Sequence, residues 1–229
     1  MKTIGLIGGM SWKSSLDYYR IINESVHEKL GGWHSAKIIM YSVDFNEIDL
    51  EHRTKEWIKS DKILIDAART LEYAGADFII IGANTAHTLA DEIQKNIKIP
   101  ILHIADATAE KIKEKQINTI GLLGTKHTMN QEFYKGRLEK KYGLKVIVPD
   151  EAEKEIIHKE INNVILGISS PDARKKYVNI INNLVKKGAE GIILGCTEIP
   201  LIVEQKDVKV QLFDTARIHA ESAVEYSLK

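Results

Sequence analysis

The sequence contains a single cysteine, Cys196, and the residues around it are those of a chemically active thiol. Cys196 follows an apolar run that ends in Gly195, and it precedes Thr197 and Glu198, where a helix is predicted to begin. The N–H groups and the dipole at a helix N-terminus stabilise anions and lower the pKa of a thiol. An isolated cysteine is more often a small buried hydrophobic residue. The flanking residues favour the functional interpretation, and no cysteine or histidine spacing around Cys196 indicates zinc binding.

The segment before Cys196 repeats a segment from the first half of the chain. Residues 188–197 resemble residues 75–85 at an offset of 113 positions, and residues 120–124 resemble residues 4–8 at an offset of 116. In this alignment Ala83 occupies the position of Cys196. Two similar offsets in the same order predict two α/β halves of about 110 residues each.

The elements that must position these residues alternate between short apolar runs and longer amphipathic segments. This pattern is typical of βα units around mainly parallel sheets. The predicted strands are 3–7, 37–43, 78–81, 99–102, 119–123, 145–148, 191–194 and 208–213. The predicted helices are 13–30, 59–74, 86–95, 105–115, 129–142, 151–166, 171–187, 198–205 and 215–226. We therefore expect two pseudo-symmetric α/β domains, each a mainly parallel sheet flanked by helices, with the site in the cleft between them.

A second set of candidate residues consists of short hydrogen-bonding side chains on the loops that follow the strands. Its members are Asn84, Thr85, Thr125, Thr128 and Thr197. Together with backbone amides, such side chains suit a carboxylate better than a bulky apolar ligand. Each of them alone could instead be a helix N-cap. Their occurrence together on matching loops of both halves favours a binding site.

Two further segments are candidates for binding an anion. The segment Gly5-Leu6-Ile7-Gly8-Gly9-Met10-Ser11 lacks the order of a dinucleotide-binding or P-loop motif, and we interpret it as a tight turn that presents amides to a small anion. His52 and Arg53 lie between the second predicted strand and the next helix, on a loop expected over the cleft. A guanidinium offers two parallel donors to a second carboxylate; a solvated surface charge is the equal alternative for Arg53.

The composition limits the classes of partner. The 32 basic and 32 acidic residues give a formal net charge of zero, without the basic excess typical of nucleic-acid or membrane-surface binding. No segment has the apolar length of a membrane span, and one thiol cannot form an intramolecular disulfide. We expect a cytoplasmic protein with a small-molecule partner, and neither nucleic acid nor a membrane as partner.

These motifs resemble those of the aspartate/glutamate racemase superfamily, in the right order and nearly from end to end. The matching segments are Gly8-Gly9-Met10-Ser11, Asn84-Thr85-Ala86-His87, Leu123-Gly124-Thr125, Gly195-Cys196-Thr197-Glu198 and Asp214-Thr215-Ala216-Arg217-Ile218-His219-Ala220. The resemblance implies two pseudo-symmetric α/β domains, racemisation without a cofactor or metal, and a homodimer. It also implies that the C-terminal segment returns to the first domain, so that residues 1–103 and about 208–229 form one domain and about 104–207 the other.

In that family, two cysteines on opposite sides of the substrate's α-carbon remove and return its proton. By this resemblance Cys196 matches the second cysteine, whereas Ala83 stands at the position of the first. Asn84, Thr85 and Thr197 match positions that bind the α-carboxylate, and Arg53 or His52 matches the loop that holds the side-chain carboxylate. Met10, Ser11, Thr125, Thr128 and Glu198 complete the predicted substrate-binding set.

Because a methyl group transfers no proton, Ala83 excludes the two-thiol mechanism and leaves four interpretations. We favour a racemase of aspartate or glutamate that uses Cys196 on one face and water or a neighbouring group on the other. A second is a lyase like the single-cysteine relative arylmalonate decarboxylase, which would act on a malonate-type acid. The others are a dicarboxylate-binding homologue without turnover, and an engineered alanine in an ordinary two-cysteine racemase.

Overall fold

The computed structural model describes residues 1–48 and 57–229. The chain forms two compact units, which consist of Met1–Ala107 with Ala216–Lys229, and of Thr108–Thr215. The strands are β1 (Ile4–Gly8), β2 (Ile38–Ser42), β3 (Phe78–Ile81), β4 (Thr119–Gly124), β5 (Lys145–Ile147), β6 (Gly191–Gly195) and β7 (Gln211–Asp214). The α-helices are α1 (Trp12–Leu30), α2 (Trp57–Tyr73), α3 (Ala90–Lys95), α4 (Ile104–Glu114), α5 (Lys126–Asn130), α6 (Lys135–Tyr142), α7 (Glu151–Ile165), α8 (Ala173–Lys186) and α9 (Thr215–Leu228).

The first unit contains a parallel sheet with the strand order β2-β1-β3. Side chains of a strand alternate between its two faces, so the apolar run of β3 serves two separate cores. Ile79 and Ile81 pack into a core with residues of α2 and α3. Phe78 and Ile80 pack into a second core with residues of α1 and α9. Both faces of the sheet are therefore covered, as the continuous apolar runs predict.

The second unit contains a parallel sheet with the order β5-β4-β6-β7. Helix α8 buries Tyr177, Ile181 and Leu184 along one face. The helix lies close to the sheet, since a Cβ atom placed on Gly121 would come within 3.1 Å of the Leu184 side chain. The predicted fold class, with parallel sheets flanked by helices, is confirmed.

The repeat predicted from the sequence occupies equivalent places in the two sheets. The repeated pair β1 and β3 are parallel neighbours in the first sheet, and their counterparts β4 and β6 are parallel neighbours in the second. Ala83 follows β3 after one glycine, just as Cys196 follows β6.

Several predicted elements differ from the observed ones where proline or a short turn interrupts the pattern. The strand predicted over 99–102 is reduced to one bridge between Ile79 and Ile101, because Pro100 has no N–H to donate. The helix predicted over 86–95 begins as a 3-10 turn, Thr85–Leu89, and becomes α-helical only in α3. The helix predicted over 129–142 is divided into α5 and α6.

The assignment of residues 208–229 to the first domain is wrong for its strand. β7 pairs with β6 and therefore belongs to the sheet of the second unit. Only α9 packs with the first unit, where Ala216, Ala220 and Ala223 lie in the core beside Ile4 and Phe78. Small residues at this spacing form one narrow face that lets a helix approach a sheet closely. Among the described residues, no helix combines the length and the apolar character needed to cross a membrane.

Candidate active site

The loop after β1 is fixed by backbone contacts that require glycine. Gly9 has φ of 95°, and a Cβ atom there would overlap the backbone of Val43. Its N–H donates to Ser15 Oγ at 2.7 Å, and this hydroxyl donates to the Ser11 carbonyl at 3.2 Å. The two predicted binding residues of this loop, Met10 and Ser11, are both buried. The loop is thus held rigidly against the first turn of α1.

The loop after β3 lies beside α1 in the same unit. Ser14 Oγ donates to the carbonyl of Gly82 at 2.9 Å and joins the loop to the helix. Ala83, Asn84 and Thr85 follow, and all three are buried. The Asn84 side chain does not cap the 3-10 turn that follows it, so helix capping does not explain this residue. The predicted binding residues of the first unit are therefore placed on two loops joined by Ser14.

Thr125 and Thr128 lie on the loop after β4 in the second unit. Thr125 is the N-cap of α5: its hydroxyl accepts the N–H of Thr128 at 3.2 Å and lies 3.1 Å from the Thr128 hydroxyl. Capping therefore accounts for Thr125. Gly124 pairs with Gly195 across the sheet, and a Cβ on Gly124 would lie 3.1 Å from Thr128 Cβ and 3.0 Å from the Gly195 carbonyl. The two glycines allow this loop to lie against the loop that carries Cys196.

Cys196 and Glu198 form a buried acid–base pair. The thiol donates to Glu198 Oε2 at 2.9 Å, and the Thr197 hydroxyl donates to the same oxygen at 2.9 Å. Cys196 is 9% and Glu198 7% exposed, so little solvent reaches the contact between them. A buried carboxylate requires hydrogen-bond donors, and the two side chains supply them. Glu198 is therefore positioned to accept the proton of Cys196.

The local structure after Cys196 differs from the prediction. The helix predicted over 198–205 is absent, and the chain instead forms two 3-10 turns, Ile199–Leu201 and Gln205–Asp207. Pro200 disfavours the α conformation of the residue before it. No α-helix therefore begins directly after Cys196, and the helix dipole that was predicted to stabilise a thiolate is absent. The Glu198 carboxylate lies 2.9 Å from the sulfur and favours the protonated thiol, because two adjacent negative charges repel.

Tyr177 of α8 lies behind this pair and was not identified from the sequence. Burial raises the pKa of Tyr177 well above its ordinary value, and the acidic groups of Cys196, Glu160 and Glu198 raise it further. Its hydroxyl donates to the Ile157 carbonyl at 3.2 Å. The phenol of Tyr177 is therefore neutral, and its hydroxyl is used by the backbone of α7. Its helical spacing in α8 predicts only a core residue, so the sequence carried no signal of this neighbourhood.

The predicted site residues are divided between the two units. Ten of the twelve candidates are described, and they fall into two groups: Met10, Ser11, Ala83, Asn84 and Thr85 in the first unit, and Thr125, Thr128, Cys196, Thr197 and Glu198 in the second. His52 and Arg53 lie outside the described residues. Within residues 1–48 and 57–229, no three His, Cys, Asp or Glu side chains cluster so as to hold a metal ion.

Known proteins resemble this chain in sequence and in fold. The sequence profile of Asp/Glu/hydantoin racemases matches residues 7–223. A crystal structure from Yersinia pestis with the provisional designation Asp/Glu racemase is 49% identical, covers 100% of both chains and superposes with a TM-score of 0.94. An aspartate racemase homologue from Pyrococcus horikoshii is 38% identical over 100% of both chains, with a TM-score of 0.87. The broad specificity amino-acid racemase RacX of Bacillus subtilis is 28% identical over 71% of this chain and 70% of its own length.

The chain belongs to the Asp/Glu/hydantoin racemase family. Its named relatives include amino-acid racemases, which are isomerases. This class agrees with the parallel α/β units and with a buried thiol that contacts a carboxylate.

Proposed function

We propose that this protein is a cofactor-independent racemase of a small acidic amino acid, aspartate or glutamate, with Cys196 as its only catalytic thiol. The observation that carries the proposal is the contact of 2.9 Å between the Cys196 thiol and Glu198 Oε2. Family membership supports the reaction class, and the names of the relatives suggest an acidic substrate. From the racemase resemblance, we also propose that Asn84, Thr85 and Thr197 bind the substrate carboxylate.

The Cys196–Glu198 pair can exchange a proton in both directions. When the thiol proton passes to Glu198, the resulting thiolate can remove the α-proton of the substrate. The Cα–H bond then breaks, an S–H bond forms, and the electron pair of the broken bond moves into the carboxylate as an enediolate. Asn84, Thr85 and Thr197 are the proposed donors that stabilise this charge. In the reverse direction, the thiol protonates the enediolate.

Ala83 makes the proposed reaction unequal on the two faces of the α-carbon. The methyl group of Ala83 has no proton to exchange, so inversion requires a proton from water or a neighbouring group on the face opposite Cys196. General acid–base catalysis by a positioned side chain contributes about 10² to 10⁴ in rate. Exchange of the α-proton on the Cys196 face is therefore expected to be faster than inversion.

A second candidate function follows from the same contact. A thiol held in its protonated form by Glu198 is suited to protonate an enediolate that loss of carbon dioxide has formed. Decarboxylation of a malonate-type acid uses only this half of the chemistry and has no role for a thiol at position 83. Release of carbon dioxide from a disubstituted malonate would identify this lyase activity.

The proposal is tested by incubating the protein in deuterated water with each enantiomer of aspartate and glutamate. We expect deuterium at Cα of at least one enantiomer, and none with the Cys196→Ala variant. The absence of label from all four compounds with intact Cys196 would refute the proposal for these substrates. A rise in melting temperature with a dicarboxylate but without exchange or product would identify a binding protein instead.

We also propose that the chain forms a homodimer, as the resemblance implies. Helix α1 exposes Trp12, Leu16 and Tyr19, which lie on one helical face and are 66%, 60% and 53% exposed. Leu16→Arg should shift the mass measured by light scattering from dimer toward monomer, whereas Leu201→Arg, at a leucine of equal exposure (61%), should not. A monomeric wild-type protein would contradict the proposal. The cytoplasmic location stays a prediction from the sequence.

A further inference from the structure

Three buried histidines form a cluster beneath the loop that carries Ala83, within the first unit. His87, His103 and His219 are 2%, 6% and 0% exposed. The ring of His87 lies 4.6 Å from that of His103 and 5.6 Å from that of His219, measured between centroids. The proton transfer proposed above uses none of them. Because buried polar groups need hydrogen-bond partners, the bonds of each ring indicate its role.

The backbone fixes the tautomer of His87. Nε2 lies 3.2 Å from the backbone nitrogen of Ile104, which can only donate, so Nε2 must accept. Nδ1 then carries the proton and donates to the carbonyl of Ala83 at 2.9 Å. One imidazole thus joins the residue that replaces a catalytic thiol to the first residue of α4.

The neighbours of His87 keep the ring neutral. His103 Nδ1 accepts the N–H of Ala105 at 3.1 Å, so the two imidazoles satisfy consecutive N–H groups at the start of α4. A positive charge at a helix N-terminus is disfavoured by the dipole. Asp106 is the acidic residue of the first turn of α4.

His219 faces His87 from α9, and its own bonds also require a neutral ring. Its Nε2 donates to the Leu102 carbonyl at 2.7 Å, and its Nδ1 accepts from the Tyr18 hydroxyl at 2.8 Å. Burial lowers the pKa of His219 to about 4. Among the described residues, the imidazoles of His103 and His219 contact His87, and the phenol of Tyr18 binds His219.

The bond from His87 to Ala83 sets the orientation of a peptide group in the proposed site. The C=O and N–H of a trans peptide point in opposite directions across one plane. Because the Ala83 carbonyl is held on His87, the N–H of Asn84 is directed away from the imidazole. Without that bond, the peptide between residues 83 and 84 can rotate, and the Asn84 N–H loses its direction.

We propose that His87, as the neutral Nδ1–H tautomer, is a positioning residue that orients the peptide between Ala83 and Asn84 for binding the substrate carboxylate. This inference rests on the proposed function, because it assigns the loop at residues 83–85 to substrate binding. Substitution of His87 by asparagine or by glutamine tests its two hydrogen bonds one at a time. The amide nitrogen of asparagine falls near the position of Nδ1, whereas the amide of glutamine reaches the position of Nε2. His87→Asn therefore retains the bond to Ala83, and His87→Gln retains only the bond to Ile104.

The first test reads the tautomer and the peptide without any activity. In imidazole nitrogen NMR, wild-type His87 should show a protonated Nδ1 and an unprotonated Nε2 from pH 8 to pH 5.5. The Asn84 amide resonance should shift in His87→Gln and stay close to wild type in His87→Asn. A protonated Nε2, a titration of His87 near pH 6.5, or equal amide shifts in both variants would overturn the proposal.

The second test links the orientation to the site. The apparent KM for deuterium exchange should rise at least fivefold in His87→Gln and less than twofold in His87→Asn, with smaller changes in kcat. His34→Gln, at an exposed histidine of the same unit, is the matched control. Equal KM values in the two His87 variants would refute a role in the site. If the wild-type protein catalyses no exchange, the proposed function fails, while the Asn84 resonance still decides whether His87 orients the peptide.

Discussion

The loops after β3 and β6 occupy equivalent places in the two sheets but hold opposite chemistry. After one glycine, the first continues as Ala83-Asn84-Thr85-Ala86-His87 and the second as Cys196-Thr197-Glu198-Ile199-Pro200. The first places a methyl group where the second places a thiol. Below the methyl group lies an imidazole that binds a backbone carbonyl, and beside the thiol lies a carboxylate that accepts its hydrogen bond. The two copies of the repeat therefore differ in chemistry, and we propose that the first positions the substrate and the second transfers the proton.

The most damaging change to this comparison is the loss of the thiol. Cys196→Ser preserves the volume and a hydrogen bond to Glu198, but a hydroxyl is a far weaker acid than a thiol. We expect the exchange rate to fall about 10³-fold with unchanged far-ultraviolet circular dichroism. A variant that retains a tenth of the wild-type rate would show that another group transfers the proton.

The second prediction concerns the free energy of unfolding and His219, whose ring lies against His87 below the first loop. His219 has a pKa of about 4 in the folded protein and an ordinary value near 6.5 when unfolded, so the folded state disfavours the proton. Its contribution is therefore complete above pH 6.5 and is lost as the pH falls from 6.5 to 4, by about 3 kcal/mol. Urea unfolding at pH 7 and pH 4 should show this loss in wild type and a smaller one in His219→Gln. His27→Gln, at an exposed histidine, should keep the wild-type difference; the same difference in the His219 variant would contradict the assignment.

A third change removes the charge beside the thiol. Glu198→Gln keeps an acceptor in place, but an amide cannot take the proton of Cys196. Turnover should fall about 10- to 100-fold, while the thiolate, followed by its ultraviolet absorbance, should form at lower pH because the adjacent negative charge is gone. Unchanged turnover would show that the carboxylate is not the proton acceptor.

The smallest expected effect comes from making the two loops alike. Ala83→Cys places a second thiol at the equivalent position and should raise the rate of inversion about tenfold, within the range of one acid–base group. Ala83→Ser is the matched control, since its hydroxyl is a poor proton donor and should give no comparable gain. An unchanged or lower rate in a folded Ala83→Cys protein would count against opposed groups at positions 83 and 196.

The features predicted correctly from the sequence are those that depend on local pattern. The continuous apolar runs predicted mainly parallel sheets covered on both faces, as the pairs β1–β3 and β4–β6 show. The helix predicted after Cys196 is wrong: Pro200 has no N–H for an α-helical bond, and the Cys196 carbonyl accepts from Ile199 N–H in a 3-10 turn instead. The assignment of β7 to the first domain was wrong, because the sequence carries no local signal for the pairing of β7 with β6.

In the candidate site, too, the sequence predicted some features and missed others. The candidate residues from Met10 to Glu198 were predicted from their types, from the glycines next to them and from the racemase resemblance. The histidine cluster was not, because His87, His103 and His219 are far apart in the sequence and meet only through the packing of α4 and α9 on the first unit. The bond between Cys196 and Glu198 was also missed, since a helix in that segment would direct the two side chains differently.

The position of deuterium early in the reaction tests the central claim most directly. The wild-type protein is incubated in deuterated water with L-aspartate and, separately, with D-aspartate, and the recovered substrate and the inverted product are analysed below a tenth of full conversion. With one thiol, on one face, we predict that recovered substrate of one enantiomer carries deuterium at Cα before product accumulates, whereas the other enantiomer does not. Unlabelled substrate together with fully labelled product from both enantiomers would show two opposed acids of equal competence and would contradict the account.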